Sequence, residues 1–576
     1  MKNAIFALSL ALAMPLATVG CADENDPATW VKRLDDPAQR TNAIKRLGQF
    51  YEDALTSDGN KRDGEHVKKV ADVIVEPLTK AYTAGGLDDK TRKDLIKSLG
   101  GMKDPRTQPA LAKALGEYEP GKTDEDVKFA AEAAGQMAKN GVKLDKTVVD
   151  GLWTCFTKYQ PSKTNSIQGT QALHDAILAV KDPSYGDKAI VAIKAPAILD
   201  DSVSDKGTKK VNDQLEFWQT TAIQVIKELQ YKAAAKPLVQ VLMTHNKLGI
   251  AALAQSAIQR MPKDAEPHLA AALTGSDPDL AKLQADWDPK TKDYVPIIIN
   301  VLAYTSLDSA RDAILAYIPQ LDNDTNRSAA AQMLIWFPTT PMTVATFKGL
   351  YSKLPPIASN TSSGDTGNER AQLLGVASEF FEPSLGPWAV SEASTAKGTN
   401  MLSAKVSAIQ SAIKLMGPAD KATVEKALTN LESSGLTAKE KEAVSNNVRA
   451  VFKNASESLD KCQSNADCYV KVLVEPSPQT VNSNWKAIKA AHMAGVLGND
   501  KTRKDLIAHI TKVTNPGARL AMAVAINHLA PKGDAADADA LEKIVADDTT
   551  RKDNEALKGD DALSKVALML RARATQ

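Results

Sequence analysis

The stretch Ala487–Val513, AIKAAHMAGVLGNDKTRKDLIAHITKV, contains the pattern that decides the fold. Apolar residues recur at helical spacing as far as Leu497, and a Gly-Asn-Asp break then separates them from a second apolar run. The pattern predicts a helix, a tight turn and a second helix. One such hairpin cannot bury its apolar face alone, so it has to stack on neighbours.

The same pattern recurs along the chain. Asp88–Glu117 predicts another pair, with Gly100-Gly101 as the break between its helices, and Phe217–Met243 predicts a third. Each pair takes about 30 to 45 residues, which is typical of helical repeats. The sequence therefore predicts an all-α fold, an α-solenoid of roughly a dozen stacked antiparallel helix pairs that form an armadillo-like superhelix.

Length and composition agree with a repeat protein. At 576 residues, the chain is too long for one ordinary core, so it forms several domains or an elongated repeat. Its 71 Lys and Arg residues balance its 70 Asp and Glu residues, which gives no support for nucleic-acid binding. We expect a helical solenoid over 21–275, central repeats with long loops over 276–400, and a second solenoid over 401–576.

Individual repeats resemble a known family. Asp36–Gly48 reads DPAQRTNAIKRLG and resembles the short type of HEAT repeat, and Asp104-Pro105 with Pro109–Leu115 resembles its turn and second helix. The resemblance covers roughly half of the chain and weakens between 275 and 400. It implies a protein-binding scaffold, and its motif is architectural, so it carries over no catalytic residue.

The N-terminus predicts export. A short basic start precedes the apolar run AIFALSLALAMPLA, which is too short for a usual membrane span. Gly20-Cys21 resembles the end of a bacterial lipoprotein signal, which implies removal of residues 1–20 and lipidation of Cys21. Thr18 departs from that pattern, which leaves cleavage to a soluble periplasmic or secreted form as the alternative. The residue after the cysteine is Ala22 rather than Asp, which by resemblance to the sorting signals of such lipoproteins implies the outer membrane.

The octapeptide DKTRKDLI occurs twice, at Asp89–Ile96 and Asp500–Ile507. Thr91 and Thr502 each stand three residues before an Asp, which is the spacing of a capping box at a helix start. A start at the leading Asp of each copy is the alternative. We interpret the octapeptide as a helix-start signal rather than a docking motif.

Two motifs look like ligand sites but lack the required context. Gly116–Thr123 satisfies the phosphate-loop pattern, yet a predicted helix precedes it, and Pro120 lacks a needed N–H group. Asp322–Asn326 opens like a calcium loop, but Arg327 and Met333 stand where Gly and Glu are required. We expect an inter-helix loop and a helix start, with no nucleotide and no metal.

Histidines and aromatic residues suggest packing rather than chemistry. His492, His509 and His528 fall on successive predicted helices without nearby carboxylates or cysteines, so solvated or core-edge positions are favoured over a zinc site. Phe217-Trp218 and Trp336-Phe337 are interpreted as helix-packing residues rather than as a ligand platform.

The cysteines separate into two kinds. Cys155 lies in an apolar run and is predicted to be a buried thiol. Cys462 and Cys468 enclose a polar turn, and in an exported protein such a pair predicts a disulfide. A metal pair is the alternative, but two thiols need further ligands, which the neighbouring sequence lacks.

We therefore expect a non-catalytic scaffold, anchored to the membrane by lipid, that binds envelope proteins and uses no cofactor. The binding surface is expected to include four long loops: Pro161–Thr170, Asp200–Asp213, Gly275–Pro296 and Ser359–Glu369. The alternative is an enzyme or small-ligand protein whose site is assembled on the concave face of the solenoid.

Overall fold

The structure, a computed structural model, describes residues 23–159, 167–195, 206–355, 368–395, 401–417, 420–475, 481–513, 515–550 and 561–575. Within these residues the chain forms thirty α-helices and no strand. The prediction of an all-α fold of the HEAT-like solenoid class is confirmed.

The helices form two compact units. The first unit comprises the described residues as far as Tyr185 together with the segment from 206 to Thr221. The second unit comprises Gly186 to 195 and all described residues from Ala222 onward. The domain boundaries predicted at 275 and 400 both fall inside the second unit, and they stay predictions.

In the first unit, eight helices stack in two layers. Their bounds are α1 Pro27–Lys32, α2 Arg40–Ser57, α3 Glu65–Ala84, α4 Asp89–Met102, α5 Gln108–Gly116, α6 Asp124–Lys139, α7 Lys146–Lys158 and α8 Ile167–Val180. Helices α2, α4, α6 and α8 pack side by side in one layer, and α1, α3, α5 and α7 form the other. Each helix thus packs on the helix two places ahead, as in stacked hairpin repeats.

The predicted break at Gly100-Gly101 is wrong, because α4 continues through both glycines to Met102. A Cβ atom on Gly100 would lie 3.1 Å from the carbonyl oxygen of Phe129 and 3.3 Å from the Cβ atom of Ala133, both on α6. Gly100 therefore permits a close crossing of two helices. The helix ends at Lys103, whose φ of 53° is left-handed.

The HEAT-like segment Asp36–Gly48 begins a helix that is longer than the motif. Asp36 Oδ1 accepts a hydrogen bond from the Ala38 N–H group at 2.9 Å, and α2 starts four residues after Asp36. It continues to Ser57 because Tyr51 and Leu55 extend its buried apolar stripe.

The second unit holds most of the remaining helices. Helices α9 Tyr185–Ile193 and α10 Lys206–Leu229 each have residues in both units. The others are α11 Ala235–Met243, α12 Ala251–Ile258, α13 Pro262–Thr274, α14 Pro278–Gln284, α15 Tyr294–Thr305, α16 Asp308–Tyr317, α17 Asp324–Met333, α18 Pro341–Lys353, α19 Asn368–Val376, α20 Leu385–Ser394, α21 Met401–Leu415, α22 Lys421–Glu432, α23 Ala438–Val444, α24 Ala450–Leu459, α25 Ala466–Val474, α26 Val481–Leu497, α27 Asp500–His509, α28 Pro516–His528, α29 Ala535–Thr550 and α30 Asp561–Ala574.

The C-terminal helices of this unit pack back onto its central helices. Helix α30 contacts α15, and α28 contacts the short segments Leu334–Trp336 and Ala377–Phe380. Arg573, which is 4% exposed, donates to Ser306 Oγ at 3.0 Å and to Asn527 Oδ1 at 2.8 Å. The second unit is therefore closed by contacts between residues that lie far apart in sequence.

The long loop predicted at Gly275–Pro296 is packed rather than open. It contains α14 and Trp287, which is 7% exposed and donates its indole N–H to the Met243 carbonyl at 2.8 Å. The rings of His245 and Tyr294 lie against the same indole. The other three predicted loops lie partly or wholly outside the described residues.

Both copies of the octapeptide begin a helix, as predicted, but the prediction of a capping box at Thr91 and Thr502 is wrong. The caps are Asp88 and Asn499, one residue before each copy. Asp88 Oδ1 accepts from the Thr91 N–H group at 3.0 Å, and Asn499 Oδ1 accepts from the Thr502 N–H group at 3.2 Å. The helices therefore start at the leading Asp of each copy, and the two threonines are buried within the first turn.

The arginine of each copy makes the same kind of contact with the helix two places ahead. Arg92 Nε donates to Asp126 Oδ2 on α6 at 2.7 Å. Arg503 Nε lies 2.6 Å from Asp537 Oδ2 on α29. The octapeptide therefore supplies a helix start and an ion pair between repeats.

Candidate functional site

Of the predicted site residues, one lies outside the described residues and two are joined. Cys21 and the predicted signal over 1–20 lie outside the described residues, so lipidation stays a prediction. The sulfur atoms of Cys462 and Cys468 are bonded at 2.01 Å, and the bond links the start of α25 to the preceding turn. The oxidised state of this pair in protein isolated from cells stays a prediction.

The two ligand-like motifs have the structures that the sequence predicts. Gly116 is the last residue of α5, the rest of Gly116–Thr123 connects α5 to α6, and Lys122 Nζ binds Glu119 Oε2 at 2.7 Å. A phosphate loop would need a strand where α5 stands. In the calcium-like segment, Asn323 Oδ1 accepts from the Asn326 N–H group at 2.8 Å and caps α17.

Cys155 is buried, and Phe217 and Trp218 pack against α7, as predicted. Burial raises the pKa of the Cys155 thiol, whose Sγ atom lies 3.4 Å from the Leu115 carbonyl oxygen. The rings of Phe217 and Phe156 meet edge to face at 5.3 Å, and Trp218 donates its indole N–H to the Phe156 carbonyl. A buried thiol of raised pKa is a poor nucleophile.

Two of the three histidines meet around one aromatic ring. His492 on α26 and His528 on α28 stack on Phe381, with ring centroids 5.5 Å and 5.0 Å away. His509 lies on α27. The ring of Phe381 fits because Gly495 faces it: a Cβ atom there would lie 2.5 Å from the ring.

The expectation that these histidines have no nearby carboxylate is wrong. Glu379 Oε1 lies 3.0 Å from His492 Nε2 and 3.1 Å from Lys414 Nζ. Burial opposes the charged form of Glu379, but His492 and Lys414 outweigh it and hold the pKa of the carboxyl below its usual range. Glu379 is 113 residues from His492, so only the tertiary fold reveals this pairing.

The cluster of Phe381, His492, His528 and Glu379 packs helices against one another in the described structure. His492 is 1% exposed, and burial lowers the pKa of His528 to about 4. Among the described residues, no group of three or more His, Cys, Asp or Glu side chains is placed to hold a metal ion. None of the helices in the described ranges combines the length and apolar character that crossing a bilayer requires.

A groove of about 460 Å³ crosses one layer of the first unit and is the best candidate for a binding site. Its lining residues come from α2, from α4 with its C-cap, and from α6: Gly48, Glu52, Asp94, Lys97, Ser98, Gly100, Gly101, Lys103, Phe129, Glu132, Ala133 and Gln136.

The floor of this groove is built from small residues at helix crossings. A Cβ atom on Gly48 would lie 3.3 Å from Ser98 Oγ, so α2 and α4 approach closely there, as α4 and α6 do at Gly100. Gly101 faces open space, with nothing within 4 Å of its hypothetical Cβ atom. The groove therefore has a low floor between exposed side chains.

The charged side chains that line the groove form no ion pairs with described residues. In the part of the chain that the structure describes, no ion pair involves Glu52, Asp94, Lys97, Lys103 or Glu132. Their arrangement leaves three negative and two positive groups available at one surface.

Two other ion pairs of the first unit join neighbouring segments of its helical stack. Arg92 bonds to Asp126, and Arg106 Nη1 bonds to Asp72 Oδ1 at 2.9 Å. The groove charges of Glu52, Asp94, Lys97 and Glu132 are instead exposed to solvent.

An aromatic ring lies beside these charges. Phe129 is partly exposed, and the ammonium groups of Lys97 and Lys128 lie 5.8 Å and 5.4 Å from its ring centroid. Aromatic side chains are enriched at protein–protein interfaces, and the rim of such interfaces is polar. The sequence signal for the groove was weak, because Gly100-Gly101 resembled a helix break.

Comparisons with known proteins add only distant structural likenesses. No family model matches the chain, and no curated protein matches its sequence. The solved structure of Kap121p bound to Nup53p shares 13% identity and a TM-score of 0.43 over 91% of this chain and 54% of that chain. Importin beta shares 12% identity and a TM-score of 0.30 over 95% of this chain and 62% of that chain. The chain therefore spans about half the length of the Kap121p chain that it matches.

Proposed function

We propose that this chain is a non-catalytic scaffold of the cell envelope that binds protein partners in the groove across α2, α4 and α6. The observation that carries the proposal is the set of five unpaired charges beside the accessible ring of Phe129. A partner with complementary charges would pair these groups and cover the ring, which is how protein surfaces gain both specificity and affinity.

The envelope location rests on the signal-like N-terminus and on Cys21. Helix α1 begins at Pro27, six residues after Cys21, and six extended residues reach about 20 Å. A lipid on Cys21 would therefore hold α1 close to the membrane surface. Labelling with a radioactive fatty acid is expected to mark the wild-type protein and not Cys21→Ser. An unlabelled wild-type protein would remove the anchor from the proposal.

Site-directed photo-cross-linking tests the groove. A photoreactive amino acid at Glu132 lies in the groove, and one at Glu76 lies on α3 in the other layer. We expect illumination of intact cells to yield a discrete cross-linked protein from position 132 and none from position 76. Purified partner should then bind the chain in a direct assay.

Charge variants supply the control for this experiment. Asp94→Lys changes a groove charge, and Glu76→Lys makes the same change outside it. We expect the first variant to weaken binding of the cross-linked partner about tenfold, in line with the cost of a mismatched charge at an interface. Equal binding by both variants and the wild type would refute the groove as the binding surface.

A further inference from the structure

A second cavity, of about 280 Å³, lies among α20, α21 and α22 of the second unit. Its walls combine the polar residues Ser394, Lys405 and Asn430 with five apolar side chains of these three helices: Val390, Ala393, Ile409, Ala427 and Leu431. The last four are buried, and Val390 packs against the same hydrophobic cluster. Apolar walls with a few polar groups are typical of small-molecule sites.

One lysine side chain, that of Lys405, lines this cavity without an ion pair to any described residue. Lys405 is the only charged residue among the described residues that line it. Its ammonium group forms no ion pair or hydrogen bond with any described residue, and the side chain is partly buried. Burial lowers the pKa of Lys405, and no neighbouring charge contributes to the shift. Partial burial of an unpaired cation costs free energy, which a bound anion would recover.

We propose that this cavity binds a small apolar monocarboxylate, such as a medium-chain fatty acid, with its carboxylate on Lys405 and its hydrocarbon chain against Ile409, Ala427 and Leu431. The proposal is independent of the groove and of its protein partner, because the two sites lie in different units.

Charge and size both select this ligand class. One ammonium group balances one carboxylate, whereas a phosphate dianion would leave excess charge among apolar side chains. A volume of 280 Å³ holds at least about nine water-sized groups of ~30 Å³ each. Octanoate, with its eight carbons and two oxygens, matches that size, and a folded peptide does not.

Titration calorimetry of the full chain with sodium octanoate tests the proposal, with 1-octanol and octylammonium as neutral and cationic probes. We expect octanoate to bind one to one, and octylammonium to bind at least tenfold more weakly because its charge repels Lys405. Lys405→Met should weaken octanoate binding about tenfold or more, the usual worth of a charged hydrogen bond, and leave 1-octanol binding unchanged.

Two control variants separate charge from folding and from general apolar binding. Lys405→Arg keeps the charge and should keep octanoate binding within a few-fold, and Lys426→Met removes an exposed charge of α22 outside the cavity and should change nothing. Ala427→Leu should fill the cavity and weaken both octanoate and 1-octanol. Absence of one-to-one octanoate binding to the wild type, or equal octanoate affinity in Lys405→Met, would overturn the proposal.

Discussion

The two units are built from similar helices, but the contacts that stabilise them differ greatly in sequence separation. In the first unit, Trp218 bonds to the Phe156 carbonyl across 62 positions of the chain. In the second, Arg260 Nη1 bonds to Glu542 Oε1 at 3.2 Å across 282 positions, and Arg573 bonds to Ser306 across 267. The first unit is a stack of near neighbours, and the second is closed by its own C-terminal helices.

This difference has a thermodynamic consequence. In a stack of repeats, stability is approximately a sum of terms for each repeat and its neighbours, so losing one contact has a local effect. A closed unit depends on a few contacts between distant segments, and their loss frees whole helices. We therefore expect the largest effects of single substitutions where α30 meets α15.

The largest expected effect follows substitution of Arg573. Arg573→Ala should lower the free energy of unfolding of the second unit by about 3 kcal/mol, because buried polar atoms of Ser306 and Asn527 lose their donor. Peptide-resolved hydrogen exchange in urea measures each unit separately. Arg571→Ala on the same helix removes pairs with Asp539 and Glu542 that are partly exposed, and should cost 1 kcal/mol or less. Equal effects of the two variants would contradict the closure by Arg573.

The two copies of the octapeptide provide a matched comparison between units. The Arg503 side chain is 7% exposed and that of Arg92 is 27% exposed, whereas their partners Asp537 and Asp126 are 11% and 2% exposed. Arg503→Ala should cost about 2 to 3 kcal/mol, because Asp537 keeps a partly buried charge. Arg92→Ala should cost about 1 kcal/mol, because the Tyr82 hydroxyl still donates to Asp126 at 2.9 Å.

Unfolding in urea, read by exchange in each unit, checks these two values. Lys504→Ala and Lys90→Ala are the controls, since both side chains are exposed neighbours within the same octapeptides. Their expected effects are below 0.5 kcal/mol. A larger loss from Arg92→Ala than from Arg503→Ala would contradict the compensation of Asp126 by the Tyr82 hydroxyl.

Acidification should weaken the second unit selectively. Burial lowers the pKa of His528 to about 4 from its ordinary value of 6.5, so the unfolded chain takes up a proton first as the pH falls. The contribution of neutral His528 to the free energy of unfolding is therefore complete above pH 6.5 and is lost as the pH falls towards 4. Between pH 7 and pH 5 the loss should be about 2 kcal/mol, and His528→Phe should remove that share of the pH dependence. Identical pH slopes for wild type and variant would contradict this expectation.

A buried lysine offers a gain of stability in the same unit. Lys489 is 5% exposed, and burial lowers its pKa to about 8. The side chain of Lys489 binds a proton more tightly in the unfolded chain than in the folded one. Burial of its charge therefore lowers the free energy of unfolding by the full amount below pH 8, and this loss disappears as the pH rises above 10.5. Lys489→Met should raise the free energy of unfolding at pH 7 by about 1 to 2 kcal/mol, measured in urea. Lys486→Met, which removes a pair with Glu475, should give no gain.

Local signals carried much of the fold. Helical periodicity predicted the pairs at Phe217–Met243 and Ala487–Val513, which the structure confirms as α10 with α11 and α26 with α27. It failed at Gly100-Gly101, because a glycine that ends a helix and a glycine that lets two helices cross look alike in sequence. Only the position of α6 distinguishes them.

Site-level features were harder to predict, for a related reason. The disulfide partners Cys462 and Cys468 are six residues apart, so their short spacing around a polar turn, together with the expected export, suggested their pairing. The groove and the Lys405 cavity each combine side chains from three helices, and no spacing rule reports which faces of three helices meet.

By itself, the sequence determined the all-α class, the rejection of a phosphate loop at Gly116–Thr123, and the helix starts at the two octapeptide copies to within a few residues. These properties depend on periodicity, capping and backbone chemistry, which act over one or two turns. Tertiary structure alone decided that Glu379 meets His492, that α30 packs on α15, and that Lys405 lines a cavity without an ion pair to any described residue. Such contacts depend on the crossing geometry of packed helices, which accumulates over hundreds of residues and has no local signature.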